Sequence, residues 1–136
     1  MSLTSRFFAG LGLLAVAAGA LAQPLTLDIY NPRENAVFPV SSTLISGEKD
    51  AILVDAQFSN TEAQALVERI RASGKRLTTI FISHGDPDFY FGLDTLTRAY
   101  PDAKVLATPA TVAYIEKTRA PKLAYWVPIL KDSAPA

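Results

Sequence analysis

The sequence predicts an α/β fold built on a mixed sheet, and three observations predict it. Short apolar runs recur at Leu25–Tyr30, Ala51–Val54, Leu77–Ile82 and Lys104–Ala107. Between the later runs lie segments whose apolar residues repeat at helical spacing. The extended segments Ala36–Ser46 and Ala51–Val54 are joined instead by Gly47-Glu48-Lys49-Asp50, a polar turn of hairpin length. A hairpin followed by alternating strands and helices gives a sheet that is antiparallel at its start and parallel later, with right-handed crossovers.

Each element has a local reason. Leu25–Tyr30 is closed by Asn31-Pro32, a turn signal. Ala36–Ser46 reads as extended, with Pro39 marking an edge strand or an irregular start. Ala51–Val54 is a continuous apolar run, which fits a strand covered on both faces. Ser59 with Glu62 three residues on is a capping box, and Ala63, Leu66, Val67 and Ile70 then form one apolar stripe up to Gly74, a left-handed cap. Leu93, Leu96 and Tyr100 mark a second helix closed by Pro101. Thr108-Pro109 opens a third, expected to end before Pro121. The tail Leu123–Ala136 carries Tyr125, Trp126, Val127, Ile129 and Leu130 between prolines, and an apolar tail of this kind should pack on something.

The first 22 residues read as an export signal. Arg6 gives a positive start, Phe7–Gly19 is uncharged and apolar, and Ala20-Leu21-Ala22 offers a small-x-small cleavage pattern before Gln23. The expected location is therefore periplasmic or secreted. Removing 22 of the 136 residues leaves 114, enough for one modest domain over 23–136. Arg6 is the only charge removed, so 12 basic and 13 acidic side chains remain, with no basic cluster to serve as a footprint for nucleic acid. The three cations within Lys117–Lys122 read as an ordinary solvated helix end. No cysteine is present, which excludes disulfides, thiolate ligands and a cysteine nucleophile.

The chemistry concentrates in Ile82-Ser83-His84-Gly85-Asp86-Pro87-Asp88-Phe89-Tyr90-Phe91-Gly92, which contains the only histidine of the chain. A buried strand delivers an imidazole and two carboxylates, at alternate positions, onto a strand-end loop, where α/β proteins gather their reactive groups. The spacing His-x-Asp-x-Asp is one that a divalent ion or a polarised water would use. Asp55 ends the preceding strand and reaches the same sheet edge if the two strands are parallel neighbours. Carboxylates gathered at one point call for a cation or hydrogen-bond donors among them. Each residue also has a plainer role. His84 can be a loop residue bonded to its neighbours, Asp86-Pro87-Asp88 can be a turn that caps the next helix, and the aromatics Phe89–Phe91 and Trp126 can be core.

Leu44-Ile45 through Leu53-Val54-Asp55, the helix after it, Thr79–His84 and Gly92-Leu93 together resemble metallo-β-lactamase-fold hydrolases over roughly Thr43 to Ile115. The family's loop reads His-x-His-x-Asp-His with a glycine three residues later. His84 matches its first histidine, Asp86 stands in place of the second, Asp88 matches the aspartate, Phe89 replaces the last histidine and Gly92 matches the glycine. The resemblance implies half of an αββα sandwich, ending near the close of the family's first half. It implies metal-assisted hydrolysis of an unspecified small-molecule substrate. His84, Asp86 and Asp88 would be the ligands, Asp88 would orient the water, and Asp55 would support the site without ligating. It implies a divalent metal, zinc foremost and at most one ion, with carboxylate ligands moving preference toward Mn²⁺ or Mg²⁺. The rival expectation is a non-catalytic binding or interaction module that keeps the fold and self-associates through its uncovered sheet surface.

Overall fold

The computed structural model describes residues 24–135; the expected signal segment, 1–22, lies outside them. Five strands, β1 (Thr26–Tyr30), β2 (Ser42–Ser46), β3 (Asp50–Val54), β4 (Arg76–Ile82) and β5 (Lys104–Ala107), form one sheet in the order β1-β2-β3-β4-β5. β1, β2 and β3 pair antiparallel, and β3, β4 and β5 pair parallel. The helices are α1 (Asn60–Ser73), the short α2 (Pro87–Tyr90), α3 (Leu93–Ala99) and α4 (Pro109–Leu130). The mixed α/β architecture is the expected one.

The capping box forms as read from the sequence. Ser59 Oγ accepts from the Glu62 amide while the Glu62 carboxylate accepts from the Ser59 amide, and Gly74 closes α1 at φ 65°. The α1 stripe Ala63, Leu66, Val67 and Ile70 joins Leu44, Leu53, Leu77, Ile80, Ile82 and Leu96 in the core. At about 25 cal/mol per Å² of apolar surface removed from water, this cluster is the main source of stability.

The stretch Ala36–Ser46 has the irregular start that Pro39 implies, and it is strand only from Ser42. Two expectations need correction. The β3 run is covered on one face only. Ile52 is 41% exposed, and the register aligns Leu27–Ile45–Ile52–Thr79 and Ile29–Thr43–Val54–Phe81–Leu106 across an open face of the sheet. Composition alone does not distinguish a two-sided strand from a one-sided strand whose outer residues are also apolar.

The second correction concerns α4, which runs through Pro121 and Pro128 to Leu130. An internal proline removes a helical hydrogen bond and costs about 3 kcal/mol. Packing offsets this: the Trp126 ring meets Phe38 and Phe58 edge-on at centroid distances of 5.5 and 5.1 Å. The tail therefore does pack, and beyond it Asn60 Nδ2 donates to the Ala134 carbonyl and Thr61 and Ser133 share a hydrogen bond.

Candidate functional site

The site lies at the carboxyl edge of β3 and β4, where two loops interlock. Parallel pairing aligns Val54 with Phe81, so the chain leaves both strands at the same edge. The Ala56 amide donates to the Phe89 carbonyl at 2.7 Å, and the Gly92 amide donates to the Gln57 carbonyl at 3.0 Å. A Cβ on Gly92 would run into the Ala56 carbonyl oxygen and the Ala63 side chain. Glycine is needed here for close backbone approach, which explains the motif's last residue. Asp55 and Gln57 both hold positive φ, 65° and 70°. Such strained backbone in non-glycine residues persists only where surrounding contacts fix it. Buried Gln57 donates from Nε2 to Ser42 Oγ at 2.8 Å and to the Val40 carbonyl at 3.1 Å, tying the loop to β2.

Asp55 is 5% exposed and aims its carboxylate at the motif loop. Oδ1 accepts from the Ser83 amide at 2.8 Å, and Oδ2 accepts from the Ser83 hydroxyl at 2.6 Å. Ser83 Oγ also lies 2.7 Å from His84 Nδ1. A hydroxyl has one hydrogen and a carboxylate has none, so Ser83 spends its hydrogen on Asp55 and accepts from His84 Nδ1–H. That fixes the imidazole tautomer and leaves Nε2 with a free lone pair. His84 is exposed, with the Phe89 ring tilted over it at 4.5 Å between centroids.

The rest of the loop is held from α4. Lys122 Nζ donates to the Gly85 carbonyl at 3.0 Å and to Asp86 Oδ1 at 3.2 Å. Lys122 was expected at a solvated helix end, yet its side chain is only 19% exposed. Asp88 is half-buried in the first turn of α2. Burial pushes its carboxyl above the usual aspartate range; its own backbone hydrogen bond works the other way, and the nearby Asp86 charge adds to the rise.

The structure thus brings Asp55 and His84 together through Ser83 and places Asp86 against Lys122. Ser83 and Lys122 were both missed in the sequence. Ser83 sits beside the histidine and was legible in principle; Lys122 carries no local signal, because its partners lie 36 and 37 residues away.

The metallo-beta-lactamase superfamily model matches residues 35–134, and the chain belongs to that family. A protein of Bacillus subtilis (strain 168) known as "Uncharacterized protein YobT" is 32% identical over 71 residues, 52% of this chain and 30% of that protein. Among solved structures, a metallo-beta-lactamase from Hirschia baltica has a TM-score of 0.55 at 14% identity, over 70% of this chain and 43% of its own. The FIM-1 metallo-beta-lactamase from Pseudomonas aeruginosa, in its mono-zinc form, has a TM-score of 0.54 at 12% identity, over 70% and 42%. These two structures support the fold. The chain spans less than half the length of each of these three relatives.

The family typically binds a divalent metal, usually zinc, and the described residues do not fit such a centre by themselves. No group of three or more His, Cys, Asp or Glu side chains is placed to hold an ion among the described residues. Zinc sites use three or four protein ligands. Here one imidazole offers Nε2, Phe89 covers it where the family has another histidine, and Asp86 is engaged by a lysine.

Proposed function

We propose that this chain serves a hydrolytic function of the metallo-β-lactamase type and contributes one side of a site rather than a finished centre. The observation that carries the reading is the Asp55–Ser83–His84 hydrogen-bond chain, which fixes the imidazole in one tautomer and turns a free Nε2 outward. An imidazole oriented by a buried carboxylate is suited to take a proton from an attacking water. Asp88, close enough to feel the charges of His84 and Asp86, is the second group of the reading, orienting that water. The ion that the family typically uses, zinc foremost with Mn²⁺ or Mg²⁺ as alternatives, would require donors from outside residues 24–135. The substrate is a small molecule of unassigned class, and the Arg6, Phe7–Gly19 and Ala20–Ala22 pattern supports a periplasmic or secreted location.

The test is hydrolysis of an ester, thioester and lactam panel by the purified full chain, with and without added zinc, beside His84→Ala. Turnover of at least one substrate, reduced about 100-fold or more in the variant, is the expected result. Turnover that His84→Ala leaves unchanged would overturn the reading.

A second reading, an interaction module, is favoured by the open sheet face. Leu27, Ile29 and Leu106 there are 63%, 62% and 50% exposed, and soluble monomers rarely leave a contiguous apolar patch of this kind uncovered. A second copy would cover it. Sedimentation equilibrium of the full chain beside Ile52→Lys checks this: dimers lost in the variant support it, and a strict monomer counts against it.

A further inference from the structure

α4 carries three residues onto the motif loop. Lys122 Nζ donates to the Gly85 carbonyl at 3.0 Å and to Asp86 Oδ1 at 3.2 Å, and it lies 4.4 Å from the centroid of the Tyr114 ring. Tyr114 and Ile115 press on Gly85 closely enough that a Cβ there would meet the Tyr114 ring. The ammonium is thus enclosed between a carbonyl, a carboxylate and an aromatic face, three surroundings that all favour a cation. Asp88 also lies within electrostatic reach of Lys122 and Asp86. Two carboxylates on a three-residue span repel one another unless positive charge sits among them.

We infer that Lys122 is the resident counter-ion of this loop. Its ammonium supplies the positive charge that the carboxylates need, and the loop reaches its shape without a divalent ion. The inference explains the poor fit of the metal centre from a group that is present. Asp86 stands where the family has a histidine, and a lysine already engages that carboxylate. An added divalent ion has to displace the ammonium before it can use Asp86. The inference stands whether or not the chain hydrolyses anything.

Zinc and manganese binding, measured by equilibrium dialysis and elemental mass spectrometry, tests it on the full-length chain, Lys122→Met and Lys122→Met/Asp86→Asn. Circular dichroism monitors folding. Lys122→Met is expected to bind zinc at least about tenfold more tightly, since a unit positive charge next to the carboxylate has gone. The double variant is expected to lose that gain. Equal or weaker binding by a folded Lys122→Met would overturn the inference.

Should Lys122→Met fail to fold, Asp86→Asn in the otherwise native chain gives a second readout. Acetylation of Lys122 by an amine-directed reagent, followed by peptide mass spectrometry, is expected to rise several-fold while that of exposed Lys104 stays constant. An unchanged Lys122 rate would also overturn the inference. The acetylation readout involves neither substrate nor metal, so it fails or succeeds independently of the hydrolytic reading.

Discussion

The two ends of the motif loop are held by different means. At the inner end, Ser83 and Gly92 are locked to the loop after β3 by backbone hydrogen bonds and by the buried Asp55 carboxylate. At the outer end, Gly85 and Asp86 are held by one lysine and one aromatic ring from α4. The inner end is part of the fold, because its contacts are backbone hydrogen bonds or go to a carboxylate only 5% exposed. The outer end is an attachment, because the Asp86 side chain is 55% exposed and Tyr114 46%. A site built this way keeps its imidazole fixed while the acidic half of the loop responds to charge.

The largest expected effect breaks the inner end. Gly92→Ala drives a methyl group into the Ala56 carbonyl oxygen, and neither backbone can yield without breaking a hydrogen bond. A loss of about 3 kcal/mol or more is expected in urea unfolding. Gly85→Ala is the matching change outside, where the obstacle is the half-exposed Tyr114 ring, which can turn away. Its cost should stay near 1 kcal/mol. Equal losses at the two glycines would erase the distinction between the ends.

Next comes Asp55→Ala, which strips the acceptor from both the Ser83 amide and the Ser83 hydroxyl. Leaving such donors unpaired costs about 1–3 kcal/mol each at buried positions. The same variant frees the His84 ring, so nitrogen NMR should show a mixture of tautomers where the native chain shows Nδ1–H. A single unchanged tautomer would mean that Ser83 does not transmit the orientation.

Lys122→Met acts on the outer end and should cost at most about 1 kcal/mol, the usual worth of a partly exposed ion pair. A loss comparable to that of Asp55→Ala would place Lys122 within the fold proper.

The smallest effect concerns Asp88. Burial raises its carboxyl, so the folded chain holds that proton more tightly than the unfolded chain does. The favourable contribution is complete below the ordinary value of 3.8 and is lost as pH rises through the raised folded value. Asp88→Asn should therefore gain melting temperature relative to the native chain as pH rises from 3 to 7. A gap that stays flat across that range would show that Asp88 is solvated.

How much of this was legible depends on the range of the interaction. Elements defined by neighbours were plain: the Ser59–Glu62 capping box, the Gly74 cap, the hairpin at Gly47–Asp50 and the motif loop itself. Their signals are dihedral preferences and short-range hydrogen bonds, which are written into consecutive residues. The sequence also identified Asp55 and His84 as residues of one sheet edge, since parallel neighbouring strands end together.

Tertiary structure decided the rest. Pro121 predicts a helix end, yet α4 continues because Trp126 and Leu130 pack against the core, an energy that no local pattern carries. The Ala51–Val54 run specifies a strand but not which of its faces the helices cover. Ser83 became a relay only when the strand pairing set Asp55 beside it, and Lys122 met Asp86 only because α4 crosses the loop. A sequence records propensity residue by residue, whereas the contacts that make this site depend on distance in space.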